Sequence, residues 1–187
     1  MIVRQSQVSK NSPTLEIRLF GAPQLLLNGQ TVDSLRRKNR ALLCYLAAQG
    51  GKSTREKLLS FFWPDHERST AQPILRTMIH DLRKYLGEAI EVDDQSIAFA
   101  PDTSIDAQDF STAIQSSLMD AQKLAEALSL YKGDFLDGFS LSDSPQFDDW
   151  ANFERERYRL MAMHGFADLS HWYEANHNYS AALARVG

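Results

Sequence analysis

Apolar and polar residues alternate through Leu15-Glu16-Ile17-Arg18-Leu19-Phe20 until Gly21, the period-two pattern of a half-buried strand. Gln24 to Leu27 predicts a second strand that turns at Asn28-Gly29, and Thr31-Val32 a short third one. The period then changes. From Arg37 to Gln49, Ala41, Leu42, Tyr45, Leu46 and Ala48 recur at helical spacing, and Gly50-Gly51 stops them. Ser53-Thr54-Arg55-Glu56 has the form of a capping box, with Ser53 and Glu56 satisfying reciprocal backbone amides. The second helix it opens ends near Trp63-Pro64, because proline disfavours helical geometry in the residue before it.

A third helix is expected over residues 73–86, opened by Gln72-Pro73 and ended by Gly87. Leu75, Met78, Ile79, Leu82, Tyr85 and Leu86 fall on one stripe, while Arg76, His80, Arg83 and Lys84 crowd the opposite side. Fixing the apolar side to a core presents the basic side outward. A helix held this way can carry cationic and hydrogen-bonding side chains into a major groove, where base edges offer a readable donor and acceptor pattern. Ile90-Glu91-Val92 and Ile97-Ala98-Phe99 then predict a hairpin across Asp93-Asp94-Gln95-Ser96. Strands, three helices and a hairpin describe an α+β winged helix-turn-helix over residues 14–101, preceded by a polar tail over residues 1–13.

After Pro101 the pattern is helical throughout, and the expected segments are 106–118, 121–130, 145–175 and a further one from Tyr179. The long third segment is expected to break around His164-Gly165. Trp150, Phe153, Tyr158, Phe166, Leu169 and Trp172 suit stacked helical hairpins, so residues 102–187 predict an all-α domain. The last stretch, Asn178-Tyr179-Ser180-Ala181-Ala182-Leu183, has the texture of another repeat helix, and the chain is expected to be a fragment.

Charge sharpens this division. The 187-residue chain has a formal charge of −4, but the 20 basic residues divide 14 to 6 between residues 1–100 and 101–187, and the 24 acidic ones 10 to 14. Within residues 36–84 there are 11 basic side chains and 4 acidic ones. Polyanion binding is therefore assigned to the first half, since phosphates would repel the second.

The single cysteine, Cys44, lies in Ala-Leu-Leu-Cys-Tyr-Leu-Ala-Ala and reads as a small core residue in a reducing, cytoplasmic setting. No apolar run approaches the roughly 20 residues of a membrane span, and residues 1–13 lack the hydrophobic centre of a signal peptide.

Enzyme chemistry finds little purchase here. Trp63-Pro64-Asp65 also occurs in a mobile loop of tyrosine phosphatases, but that mechanism needs a thiolate in an anion-binding loop, and Cys44 has none around it. His171 and His177 are six apart, which does not place two imidazoles on one helical face. With neither a glycine-rich phosphate loop nor paired carboxylates in a cleft, no enzyme activity, cofactor or metal is expected.

Several blocks resemble one family. Leu19-Phe20-Gly21, Arg37-Lys38, Arg40-Ala41-Leu42-Leu43, Tyr45-Leu46-Ala47, Trp63-Pro64-Asp65, Leu75-Arg76 and Leu82-Arg83-Lys84 with Leu86-Gly87 resemble the amino-terminal domain of SARP-type (antibiotic regulatory protein) bacterial transcriptional activators. Asp106, Phe110, Tyr131-Lys132-Gly133-Asp134-Phe135-Leu136 and Trp150 through Glu154-Arg155-Glu156 resemble the bacterial transcriptional activation domain that follows it.

The resemblance implies a response-regulator-type winged helix on double-stranded promoter DNA, often as head-to-tail homodimers on direct repeats, followed by an all-α, tetratricopeptide-like domain over residues 102–187. It also implies that helix 73–86 is the recognition helix. Arg76, Thr77, His80 and Arg83 would reach bases, with Lys84 on phosphate. Arg37, Lys38 and Arg40, together with Ser53, Thr54 and Arg55, would grip phosphate. Loop 64–71, with Asp65, His66, Glu67 and Arg68, corresponds to the segment that faces RNA polymerase. Two departures stand out: Pro73 is expected to shorten the recognition helix, and the wing tip carries carboxylates where a groove-inserting arginine would be expected. Those carboxylates and the acidic second half motivate a rival reading, a helical protein-interaction module whose winged helix has lost DNA binding.

Overall fold

The computed structural model describes residues 13–116 and 120–176. β1 (Leu15–Arg18) pairs antiparallel with β2 (Gln24–Leu27), which pairs with β3 (Gln30–Thr31). Leu15, Ile17 and Leu25 point into the core, as the alternation requires. α1 (Arg37–Ala48) follows and buries an unbroken run from Ala41 to Ala47. Gly50 and Gly51 end it in the left-handed region, with φ of 89° and 79°.

The segment after Gly51 departs from the expected capping box. Ser53 lies in β4 (Lys52–Thr54), a strand that pairs with β6 (Ser96–Phe99), which also pairs with β5 (Ile90–Val92). Pairing with Ile97 draws Ser53 into the sheet, so the cap moves one residue on, and the Thr54 hydroxyl accepts the Lys57 N–H at 3.2 Å. α2 (Arg55–Phe62) starts there and stops at the buried Trp63.

α3 (Arg68–Leu86) begins five residues before Pro73, so the expected start of the third helix is corrected. Proline supplies no N–H to a second-turn hydrogen bond, but Ala71 is buried at 2% exposure and anchors the first turn to the core. A further tie comes from the Arg68 guanidinium, paired with Glu56 on α2. Pro73 therefore lies inside the helix without shortening it.

β7 (Ser104–Ile105) runs parallel to β1 and completes the first sheet in the order β3-β2-β1-β7. The remaining chain is α4 (Asp106–Ser116), α5 (Ala121–Leu128) and α6 (Pro145–Ala175). α6 is one continuous helix of 31 residues, so the expected break at His164-Gly165 is absent. Gly165 serves close packing instead: a Cβ there would lie 2.9 Å from the Leu128 side chain on α5. The helix expected from Tyr179 and residues 1–12 of the expected tail lie outside the described residues.

The two expected units share one apolar core. Phe20 bridges to Phe135, and its ring meets those of Phe110, Tyr131 and Tyr158 at 5.0–5.4 Å between centroids. Further along, Trp150 of α6 packs on Tyr45 of α1 at 5.0 Å, and Phe147 on Phe62 of α2 at 6.1 Å. The helical half is thus built onto the first half through sheet, backbone and aromatic contacts together.

Candidate nucleic-acid interface

α3 separates its residues by face. Leu75, Met78, Ile79, Leu82 and Leu86 are buried, while Arg76, Thr77, His80, Arg83 and Lys84 are exposed. Tyr85, expected on the apolar stripe, is 39% exposed. Arg83 and Lys84 occupy the last turn, where the helix dipole favours cations. The Thr77 hydroxyl donates to the Pro73 carbonyl at 3.0 Å, which leaves its lone pairs facing outward as acceptors.

Beside this face lies a groove of about 450–500 Å³, between the start of α2, the first half of α3 and the β5–β6 turn. Thr54, Arg55, Arg68, Arg76, Asp94 and Gln95 line it. The turn is held against α2 by the Arg55 N–H, which donates to the Gln95 carbonyl at 2.9 Å. Arg55 Nε is buried without a partner. An unpaired buried donor is costly, so an acceptor supplied from outside would be favoured there.

The acidic turn has a local purpose. The Asp93 carboxylate accepts the N–H groups of Gln95 and Ser96 at 2.7 and 2.6 Å and the Ser96 hydroxyl at 2.8 Å. These bonds hold its carboxyl below the ordinary value, and they build the turn. Asp94 alone of the pair lines the groove.

The structure places the remaining sequence candidates elsewhere. Ser53 is buried at 5% exposure in β4, so it cannot meet a phosphate as expected. Arg37, Lys38 and Arg40 do not line the groove. Arg37 Nε donates to the Ser140 carbonyl at 2.6 Å, and its guanidinium lies 4.9 Å from the Phe139 ring. Lys38 pairs with Asp143 at 2.9 Å and stands 5.2 Å over the Trp63 ring. Arg40 donates to the Val32 carbonyl at 3.3 Å and approaches Asp33 at 3.8 Å. All three fasten loops of the chain to α1.

Asp65, His66 and Glu67 are exposed in the connection between α2 and α3, and Arg68 belongs to the first turn of α3 rather than to the loop. The polar groove residues absent from the sequence-based candidates are Glu56, Gln72, Asp94 and Gln95. Gln72 follows from the early start of α3, and the turn residues depend on β4–β6 pairing, which leaves no periodic signal in a three-residue strand.

Cys44 is buried, and burial pushes its thiol up to about 12, a state unsuited to nucleophilic attack. Among the described residues no group of three or more His, Cys, Asp or Glu could hold a metal ion, and no helix is long and apolar enough to cross a membrane.

Together the elements define a mixed α+β fold. It is similar to Mycobacterium tuberculosis EmbR, solved in complex with a low-affinity phosphopeptide, with a TM-score of 0.67 and 21% sequence identity. That likeness covers 92% of this chain and 49% of EmbR, so the chain spans about half the length of its structural neighbour. No protein-family model matches the chain, and no curated protein does.

Proposed function

We propose that this chain is a sequence-specific transcriptional regulator that binds double-stranded promoter DNA. In this reading residues 14–101 are a winged helix-turn-helix, α3 is its recognition helix and β5–β6 its wing. The observation that carries it is the exposed row Arg76, His80 and Arg83, at i, i+4 and i+7 on a helix whose other side is locked into the core. Thr54 and Arg55 flank that row and supply donors for phosphate, while Arg68 beside them is paired with Glu56. The exposed connection around Asp65 and His66 is the surface offered to RNA polymerase, as the SARP resemblance implies for an activator.

Selection of bound sequences from random duplex DNA tests this directly. A direct repeat spaced near one helical turn, about 10–10.5 bp, is the expected product. Affinity should also fall steeply with added salt as counterions leave the phosphates.

One observation favours the rival protein-interaction module: Arg37, Lys38 and Arg40 are engaged within the chain, so three cations are withdrawn from phosphate. Failure of the purified chain to be retained on duplex DNA at low salt would decide for that module.

A further inference from the structure

α6 has two opposed faces. Phe147, Tyr158, Ala162 and Leu169 are buried against the rest of the chain, while on the far side Phe153, Leu160 and Met163 are 68%, 44% and 55% exposed. Positions 149, 153, 156, 160, 164, 167 and 171 share that far side at helical spacing, and every one is exposed. The uncovered face therefore runs from Asp149 to His171, about 33 Å at 1.5 Å per residue. Along it Phe153, Leu160 and the small Ala167 recur every seven residues between Asp149, Glu156, His164 and His171, so apolar and ionisable positions alternate on one exposed face.

We propose that this face is covered by the same face of a second copy of the chain, in an antiparallel pair of α6 helices with the two-fold axis at Leu160. The face is complementary to itself. About that axis each residue meets the one equally far beyond position 160. Phe153 then meets Ala167, a large side chain against a small one, which lets the helices approach. Glu156 meets His164, and Asp149 meets His171, so each carboxylate finds an imidazole and no like charges oppose each other. A parallel pair would set Glu156 against Glu156 and Asp149 against Asp149.

A face that must pair with itself needs these relations in duplicate, and the two-fold provides them. The Glu156 contact to Arg159 within α6, at 3.8 Å on exposed side chains, is weak enough to be replaced. The pairing does not rest on the DNA reading, and its two-fold differs from the head-to-tail arrangement of copies on direct repeats.

Sedimentation equilibrium of the chain without DNA, from about 1 μM to about 1 mM, tests the proposal. A reversible monomer–dimer equilibrium is expected. Leu160→Glu should weaken it by at least about tenfold while the circular dichroism spectrum is unchanged. His164→Glu should weaken it similarly by setting two pairs of glutamates together. The double variant Glu156→His with His164→Glu exchanges the partners in place and should restore association to within about threefold. A monomer at every concentration overturns the proposal. Dimers indifferent to Leu160→Glu, or a double variant no better than His164→Glu alone, overturn the register and with it the proposal.

Discussion

The Asp106 carboxylate accepts the backbone N–H of Leu19 at 2.8 Å, and so ties the first residue of α4 to a strand end 87 residues earlier in the chain. Its second oxygen accepts the Phe20 N–H at 3.1 Å, and the Ala107 N–H adds a third bond at 2.7 Å. Next to it Gly21 donates to Asp134 at 2.9 Å, and Leu136 to Leu19 at 2.8 Å. One side chain thus coordinates the seam between sheet and helices. Asp106→Ala leaves these amides without an acceptor beside a buried core, and should cost about 2–4 kcal/mol on the scale of one to two orphaned buried donors. Urea denaturation measures it, and Asp106→Asn, which keeps one acceptor oxygen, should lose less.

Gly165 supports a second prediction, in which two effects compete. Glycine inside a helix is unfavourable by about 1 kcal/mol relative to alanine. Against this, a Cβ at position 165 would lie 2.9 Å from Leu128, 3.4 Å from Ile114 and 3.6 Å from Leu124. Leu128 meets it with the end of a flexible side chain, so Gly165→Ala should be close to neutral. Gly165→Leu forces a full side chain between α5 and α6 and should destabilise by about 1–3 kcal/mol, read as a lower urea midpoint at unchanged slope.

Gly165 also shows where sequence reasoning reaches its limit. A glycine amid helical periodicity signals either a break or a close approach, and the pattern along one helix contains nothing about the helix opposite. Pro73 misled in the same way, because the burial of Ala71, a tertiary contact, decided that the helix would start at Arg68. By contrast the faces of α3 were legible, since buried and exposed positions there follow directly from a 3.6-residue period. The basic residues of α1 were legible as charges but not as contacts. What Arg37 and Lys38 touch lies at Ser140 and Asp143, about a hundred positions away, beyond any local pattern.

The β5–β6 turn gives a pH prediction. Asp93 is held below its ordinary value of 3.8 by the Gln95 and Ser96 bonds, and Asp120 is lowered likewise by the Lys123 and Gln122 amides it caps. Between the folded and unfolded values the unfolded chain takes up the proton first, so acid favours unfolding. The contribution is fully present above the unfolded value and is lost as the pH falls through the lower, folded one. Asp93→Asn removes one titrating group while keeping an acceptor oxygen. Thermal melts between about pH 2 and about pH 5 should show a shallower acid limb in the variant than in the parent, with a slope remaining from Asp120.

The proposed division of labour on DNA is tested by three basic residues whose surroundings differ. Arg83 stands on the exposed row of α3 with Arg76 and His80, so Arg83→Ala should relax sequence preference and cost about 1–3 kcal/mol of specific binding. Its neighbour Lys84 lies about 100° further round the helix, toward the backbone in this reading. Lys84→Ala should weaken all sequences alike and flatten the salt dependence by about one unit. Arg37 is engaged by Ser140 and Phe139. Arg37→Ala should therefore leave the salt slope unchanged while lowering stability, a pattern opposite to that of Lys84. Competition titrations against matched and scrambled duplexes at several salt concentrations separate the three. Equal losses from Arg83→Ala and Lys84→Ala would reject the assignment of base and phosphate roles. A flattened slope for Arg37→Ala would show that the loop releases α1 when DNA binds, because only an arginine free of Ser140 can neutralise a phosphate.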